Sequence, residues 1–260
     1  MKIGYAASVF ETNILDSLKY ANDNGFNSVE LNMNMICFFP ENNKDIKKII
    51  EFKEANNMTI SFHAPEDISL INFHKIINDS GLKRLKEIID FANKLDVYSI
   101  TIHTGSTPYF TGIDKNYYVQ EQYKEEARLL LRKNILELIN YNKNNKVKLC
   151  IENSGYFSEI IIQEVLQEII NEGHELYLTY DIGHAHLNKY NEKEFFKKNI
   201  SKIKTLHLHD YKDKDHKIIG TGYIDFREEL ESLDKDLLYI IEVRPKEAAK
   251  ESLDNLKKIL

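Results

Sequence analysis

The sequence has few cysteines and no long apolar run, and both shortages narrow what the protein can be. Its 260 residues include only two cysteines, Cys37 and Cys150, which form no CxxC pair. A thiolate zinc site is therefore excluded, and a reducing, cytoplasmic location is expected. No apolar stretch approaches the roughly 18 residues of a membrane span, and the first residues lack the apolar core of a signal peptide. We expect no membrane partner.

An excess of positive charge is also missing, as is any segment that would divide the chain. The sequence carries 35 basic and 41 acidic residues and a net charge of −6, which does not indicate a general binder of polyanions. It has no low-complexity tract and no linker rich in Pro, Gly or Ser. A length of 260 residues is normal for one α/β barrel. We therefore expect a single domain over residues 1–260.

Short β-rich runs alternate with longer amphipathic runs along the whole sequence. The predicted strands are Lys2–Ala7, Ser28–Asn32, Met58–His63, Tyr98–His103, Val147–Glu152, Leu176–Asp181, Ile203–His209 and Leu238–Val243. The clearest predicted helices, with apolar residues at three- and four-residue spacing, are Asp45–Asn56, Leu82–Leu95, Glu121–Tyr141 and Ala248–Leu260. Eight strands, each followed by a helix, predict an α/β fold closed as a (β/α)₈ TIM barrel. An open doubly wound sheet is the alternative, but the first strand lacks a Gly-rich turn.

Alternate residues in several of these strands separate into a small polar set and a large apolar set. Thr59, Ser61 and His63 alternate with Ile60 and Phe62, for example. Successive side chains of a strand face opposite sides, and the helices of a barrel cover its apolar outer face. The polar set should therefore face the barrel interior, where hydroxyl groups could hydrogen-bond to the ligands of a site.

Seven of the eight predicted strands end in an ionisable residue of this inward set. In chain order these residues are Glu30, His63, His103, Glu152, Asp181, His207 and Glu242. The active face of such barrels is the C-terminal one, and uncompensated carboxylates gathered there would repel each other and lose hydration. We therefore predict bound metal. Oxygen and imidazole ligands suit Zn²⁺, Mn²⁺, Co²⁺ or Fe²⁺ better than Ca²⁺.

The candidate ligands divide into three groups by strand, so one to three ions are possible. The groups are His63, His103 and Glu152; Glu152, Asp181, His207 and Glu242; and, as a possible third pair, His184 and His216. A single-metal site, with the other histidines binding substrate, is equally open.

The remaining histidines are less informative. Asp181, His184 and His186 lie within the segment Leu178–His186, which reads as a strand entering a loop. His186 and His209 stay open between a ligand and a structural residue. His74 and His174 are interpreted as structural, because a single histidine is more often a hydrogen-bonded residue than a ligand. The roles of Glu30 and His186 are left unassigned.

Seven short segments in order carry a family resemblance. They are Phe62–Pro65 (FHAP), Ile102–Gly105 (IHTG), Ile151–Ser154 (IENS), Tyr180–His184 (YDIGH), Leu206–Asp210 (LHLHD), His216–Gly222 (HKIIGTG) and Ile241–Glu242. With them the chain resembles the xylose isomerase-like TIM barrels, which include sugar phosphate isomerases and epimerases and endonuclease IV. The segments span the third to the eighth predicted strand, so the resemblance covers most of the barrel.

The isomerase and epimerase branch implies one set of roles. The metal ligands that it implies are Glu152, Asp181, His207 and Glu242. In that branch Glu152 and Glu242 also transfer protons, and His184 is a substrate contact. His209 and Arg244 are further candidates for binding substrate. Arg244, Lys212 or Lys217 could hold a phosphate, although a solvated surface position explains each of them more simply. The expected partner is a small carbohydrate.

The endonuclease IV branch implies more zinc ions. It adds His63 and His103 for one zinc, and His184 with an Asp-x-His pair for another. Here that pair would end at His216, but Lys214 stands where the Asp is expected. In endonuclease IV a basic or aromatic insertion at this place helps to grip DNA. No such insertion follows His63 here, and the segment Pro65–Asp67 is acidic. The alternative function that this branch implies is a zinc-dependent phosphodiesterase that acts at abasic sites, with DNA as partner. The two departures count against it.

Overall fold

A computed structural model describes residues 1–187, 192–231, 233 and 236–260. Eight parallel strands close into one barrel, in which each strand pairs with the next along the chain and the last pairs with the first. The predicted (β/α)₈ barrel is thereby confirmed. Its strands are Lys2–Ala7, Ser28–Asn32, Thr59–His63, Ser99–Ile102, Lys148–Glu152, Tyr177–Asp181, Ile203–Leu208 and Leu238–Ile241.

The helices pack their apolar stripes against the outer face of the barrel. Leu85, Ile88, Ile89 and Ala92 are each at most 1% exposed, and burying a Leu or Ile side chain contributes about 1.5–3 kcal/mol. The helices are Ile14–Asp23, Ile46–Ala55, Lys75–Lys94, Val119–Gln122, Lys124–Asn142, Ile160–Asn171, Ile182–Leu187, Glu192–Lys198, Phe226–Glu231 and Lys246–Ile259. Short 3₁₀ turns lie at Ile36–Phe38, Pro40–Asn42, Gly155–Ser158 and Ile200–Lys202.

Two predicted helix boundaries are wrong, for different reasons. The third helix begins at Lys75 rather than Leu82. The prediction missed its first turns because Ile76 and Ile77 are 82% and 56% exposed and do not extend the apolar stripe. The predicted helix Glu121–Tyr141 is divided at Tyr123 into a short and a long helix. Both differences lie at element ends, where the pattern of buried residues carries least information.

Hydroxyl groups fill part of the barrel interior, as the alternation in the strands predicted. Oγ of Ser99 lies 3.0 Å from Oγ1 of Thr205, which joins the fourth strand to the seventh. Oγ1 of Thr101 lies 2.9 Å from Oγ1 of Thr179, which joins the fourth strand to the sixth. These strands are not neighbours in the barrel, so the bonds cross its interior. The polar set therefore faces inward.

Two elements were not predicted. An antiparallel hairpin, Tyr109–Thr111 paired with Asn116–Tyr118, follows the fourth barrel strand. The segment after Asp181, predicted as a loop, is the helix Ile182–Leu187. Among the described helices, none is both long and apolar enough to cross a membrane.

Candidate metal centre

His207 lies among three carboxylates at the C-terminal end of the barrel strands. Its Nδ1 is 3.1 Å from Oε1 of Glu152, 3.1 Å from Oε2 of Glu242 and 3.9 Å from Oδ2 of Asp181. One potential ligand atom from each of the four residues lies within 4.8 Å of the others, and all four residues are buried. The structure thus brings the predicted second group together.

Protons on the imidazoles compensate the buried carboxylates of this group. Burial raises the pKa of Glu152, but the charges of His207 and His103 lower it well below its usual value. Burial lowers the pKa of His207, yet the charges of Glu30 and Glu152 raise it well above its usual value. Oδ2 of Asp181 is buried and has no hydrogen-bond partner among the residues that the structure describes. A divalent cation fits this donor set, because it would replace the protons and satisfy that oxygen.

His63 and His103 meet the other oxygen of Glu152. Nε2 of His103 is 2.8 Å and Nε2 of His63 is 3.3 Å from Oε2 of Glu152. Nδ1 of His63 carries a proton, because it lies 2.9 Å from the carbonyl oxygen of Ala64, which can only accept. In neutral His63 the Nε2 lone pair therefore faces a carboxylate, and only a proton or a cation between them relieves the repulsion. The two predicted histidines thus meet Glu152, but the three residues whose potential ligand atoms lie within 4.8 Å of one another are His63, Glu152 and His207. A second cation that shares Glu152 fits there, and the part of His103 in it stays a prediction.

Changing His63 and His103 together to Ala tests that second position. We expect elemental analysis to show less bound metal, with the ion among Asp181, His207 and Glu242 retained, because these three residues and Glu152 bring their own potential ligand atoms within 4.8 Å of one another. His174→Ala is the matched control, since His174 pairs with Glu172 outside this region. An unaltered metal content would assign His63 and His103 to substrate contact or to structure.

His184, His209 and His216 form a third group beside Asp181, with one ring nitrogen of each within 4.8 Å of the others. Nδ1 of His209 accepts a 2.9 Å hydrogen bond from the backbone N–H of His216, so its proton is on Nε2, which lies 3.1 Å from Oδ1 of Asp181. His209 therefore turns a donor toward Asp181. It is fully buried, and its role as a substrate contact stays a prediction.

The loop that carries His216 is shaped by Asp210. The carboxylate of Asp210 accepts backbone N–H groups of Tyr211, Gly220, Gly222 and Ile224 at 2.8–3.2 Å. A Cβ atom at Gly222 would lie 2.3 Å from Oδ1 of Asp210, which explains a glycine at that position. The segment Gly220–Gly222 therefore wraps a buried carboxylate. Asp215 directly precedes His216, and its Oδ1 lies 3.2 Å from Nδ1 of His216.

His186 lies outside these groups. It is on the helix Ile182–Leu187, where residues two apart point to different sides, so it faces away from His184. Its Nε2 is 3.0 Å from Oε1 of Glu229. His186 thus contacts Glu229 outside the three groups, and the choice between a ligand and a structural residue stays open.

Glu30 is one layer deeper in the barrel than predicted. It pairs in register with Ser61, whereas Asn32 pairs with His63. The end of the second strand is therefore Asn32, and the prediction of Glu30 as a strand end is wrong. The predicted inward direction of Glu30 is correct, since its Oε1 lies 3.0 Å from Nε2 of His207.

Asn153 was missed as a contributor to the site. Its side chain accepts the backbone N–H of Asp181 at 2.7 Å and donates to the backbone oxygen of Asp181 at 2.9 Å. Its own backbone oxygen lies 3.1 Å from Nδ1 of His184. Asn153 thus fixes both residues at the end of the sixth strand. Its place directly after Glu152, at a predicted strand end, was the available indication.

A cavity of about 730 Å³ opens above the centre. Its lining includes Glu152, His184, His216, Glu242 and Arg244. Nη2 of Arg244 is 2.8 Å from Oε1 of Glu242, and its Nε donates to Oγ of Ser8 at 2.9 Å. The charge of Arg244 is therefore already paired. Lys212 and Lys217 are not among the residues that line this cavity.

Comparisons with known proteins agree with this architecture. A family model described as the xylose isomerase-like TIM barrel matches residues 18–259. An uncharacterized protein of Methanocaldococcus jannaschii is 29% identical over 266 residues, which cover 98% of this chain and 95% of that protein. A D-tagatose 3-epimerase-like protein has a similar structure, with a TM-score of 0.81 and 24% identity over 100% of this chain and 97% of its own. An L-ribulose 3-epimerase gives a TM-score of 0.77 and 15% identity over 100% and 95%. Because the family model spans nearly all of it, the chain belongs to the xylose isomerase-like TIM barrel family.

Proposed function

We propose that the protein is a divalent-metal-dependent isomerase or epimerase that acts on a sugar or a related polyol by proton transfer at carbon. One observation carries the proposal. Glu152 and Glu242 both lie 3.1 Å from Nδ1 of His207, so two carboxylates flank one candidate cation position, and both line the cavity of about 730 Å³. A single general base would explain one of them but not both.

Each of the two glutamates has the protonation state that a general base requires. Burial raises the pKa of Glu242, but hydrogen bonds from His207 and His216 lower it well below its usual value, and the pKa of Glu152 is lowered as well. Both are therefore carboxylates at neutral pH. One carboxylate would take a proton from the carbon next to the carbonyl. The other would first take a proton from the imidazole beside it and then return that proton to the carbon. A bound cation would polarise the carbonyl and stabilise negative charge on oxygen.

Each glutamate also has an imidazole beside it that can exchange protons with the cavity. Oε2 of Glu152 meets Nε2 of His103 at 2.8 Å, and Oε1 of Glu242 lies 3.6 Å from Nε2 of His216. His103 and His216 both line the cavity. Either carboxylate can therefore be restored to its starting state after it has given or taken a proton.

The charge of the cavity favours an uncharged sugar over a sugar phosphate. Its lining carries the acidic residues Glu66 and Asp67 in addition to the two glutamates. Among the described residues that line it, Arg244 alone has a permanent positive charge, and Glu242 already pairs with that charge. A phosphate would meet more repulsion than attraction there. The two structurally similar proteins, a D-tagatose 3-epimerase-like protein and an L-ribulose 3-epimerase, support free ketoses as substrates.

Hydrogen exchange at carbon tests the proposal directly. Free ketoses, beginning with D-tagatose and L-ribulose, would be incubated in deuterated water with Mn²⁺, Co²⁺ or Zn²⁺, and the products followed by NMR. We expect deuterium on the reacting carbon, because a proton taken to a carboxylate exchanges with solvent, and less with the corresponding phosphates. Glu242→Gln should abolish the exchange. If the loaded protein exchanges no carbon-bound hydrogen of any ketose or aldose, the proposal fails.

A zinc-dependent phosphodiesterase acting at abasic sites is the second candidate, and the convergence of His63 and His103 on Glu152 favours it. Such an enzyme must neutralise phosphates, so its binding weakens steeply with salt. Glu66 and Asp67 in the cavity oppose that contact. We expect no salt-sensitive binding to an abasic duplex and no chelator-sensitive nicking. Efficient nicking would replace the isomerase proposal with this one.

A further inference from the structure

We propose that Glu30 is a positioning residue of the centre, whose buried carboxylate fixes His207 with Nδ1 turned toward Glu152 and Glu242. The inference rests on the proposed function, because it assumes that a cation binds at this Nδ1. Glu30 does not line the cavity, and it therefore acts on the centre through His207 rather than on the substrate.

The contact between Oε1 of Glu30 and Nε2 of His207 is buried. Oε1 of Glu30 lies 3.0 Å from Nε2 of His207. The side chains are 1% and 0% exposed, so water does not reach them. Among the described residues, neither of these two atoms has a hydrogen-bond partner, so their contact is a close pairing of a carboxylate oxygen with a ring nitrogen. On this side of the imidazole ring, the carboxylate of Glu30 is thus the available partner of His207.

The other oxygen of Glu30 is held by hydroxyl groups of the barrel interior. Oγ of Ser61 donates to Oε2 of Glu30 at 3.1 Å, and Oγ1 of Thr101 lies 3.5 Å from the same oxygen. Thr101 is in turn bonded to Thr179. This arrangement orients the carboxylate plane and leaves Oε1 directed at His207. A carboxylate this deep in the barrel would be strongly destabilising without such partners.

The consequence for His207 follows from its tautomers. A neutral imidazole carries one N–H, and the nitrogen that binds a cation must be the other one. Nδ1 is the nitrogen that faces Glu152 and Glu242, so Nε2 must keep the proton. An acceptor at 3.0 Å from Nε2 favours this tautomer and makes Nδ1 a better donor to a cation. Loss of such an outer partner typically lowers metal affinity by about 10–100-fold.

Cobalt binding to variants of the whole chain tests the assignment without any substrate. Glu30→Gln keeps the size of the side chain and removes its charge, and Glu30→Ala removes the contact altogether. Ser99→Ala is the matched control, because Ser99 is an equally buried interior residue whose hydroxyl group bonds to Thr205. Affinity would be measured by calorimetry with Co²⁺ alone, and coordination by the visible absorption spectrum of the bound Co²⁺. Thermal unfolding would show whether each variant is folded.

We expect Co²⁺ affinity to fall by about 10-fold in Glu30→Gln and by up to about 100-fold in Glu30→Ala, with an altered cobalt spectrum in both. Ser99→Ala should keep the affinity and spectrum of the natural protein. If Glu30→Ala does not fold, Glu30→Gln decides the question by itself. Unchanged affinity and spectrum in the Glu30 variants, while the natural protein binds Co²⁺, would overturn the role of Glu30 alone. Failure of the natural protein to bind Co²⁺ would overturn the metal centre, and the role of Glu30 with it.

Discussion

Replacing Glu152 by Gln is expected to abolish both cation binding and turnover while the barrel stays folded. Glu152 is the carboxylate on which the candidate ligands converge: His103, His207 and His63 have nitrogens 2.8, 3.1 and 3.3 Å from its oxygens. Glutamine keeps the size but removes the charge that opposes these imidazoles. Loss of general base catalysis alone costs roughly 10²–10⁴-fold in rate, and loss of the cation adds to it.

The measurement is the metal content of the purified variant, beside its rate of deuterium exchange and its thermal unfolding. Glu229→Gln is the matched control, because Glu229 is also a buried glutamate paired with a histidine, His186, but lies outside the centre. The control should retain metal and activity. A full complement of metal in Glu152→Gln would remove Glu152 from the ligand set.

Removing the cation is expected to lower thermal stability strongly. A ligand that binds only the folded state stabilises it by about 4 kcal/mol when present at 1,000 times its dissociation constant. For a chain of this size that corresponds to a decrease of roughly 10 °C in the unfolding temperature on chelation. In this chain the lost cation would leave Glu152 and Asp181 compensated by protonated histidines, and Glu242 by protonated histidines and Arg244.

The effect of chelation should grow as the pH rises. Burial lowers the pKa of His63 and His216, but hydrogen bonds with Glu152 and Glu242 raise each from 6.5 to about 9. A raised histidine pKa stabilises the folded state fully below 6.5, and this stabilisation is lost as the pH rises through about 9. The metal-free protein should therefore lose stability as the pH rises from 6.5 to about 9. A bound cation competes less with protons on these histidines at high pH, so the metal-bound protein should lose less stability.

Unfolding temperatures with and without chelator at several values from pH 6 to pH 9 provide the measurement. The difference between the two curves should widen toward pH 9. A constant difference, or one that narrows, would show that the histidine protons and the cation do not compete for the same positions. The centre would then have to be sought in other residues.

The alternation of residues in the strands was enough to predict which side chains enter the barrel. Ser61, Thr101 and Thr179 meet across the interior as expected, because a strand allows only two directions for a side chain. The same alternation says nothing about depth. Adjacent strands of a barrel are staggered, so Glu30 was placed at the strand end although it lies one layer below.

Local structure beyond the strand ends was harder to predict. His184 and His186 looked equivalent in the sequence, but the helix Ile182–Leu187 turns them to different sides, and six residues carry too little periodicity to reveal a helix. Asn153 was missed because its function depends on backbone groups of Asp181, which no pattern of side chains records. In the third helix, Ile76 and Ile77 are exposed and masked its true beginning.

Glu152 presents one oxygen to His207 and the other to His63 and His103, so the two cation positions draw on the same negative charge. Occupancy of one must therefore change the affinity of the other, and by linkage the effect is mutual. Two dications beside one carboxylate repel, so the second should load more weakly than the first. A titration should then show two unequal steps. The number of ions found after purification would depend on the free metal concentration to which the protein was last exposed.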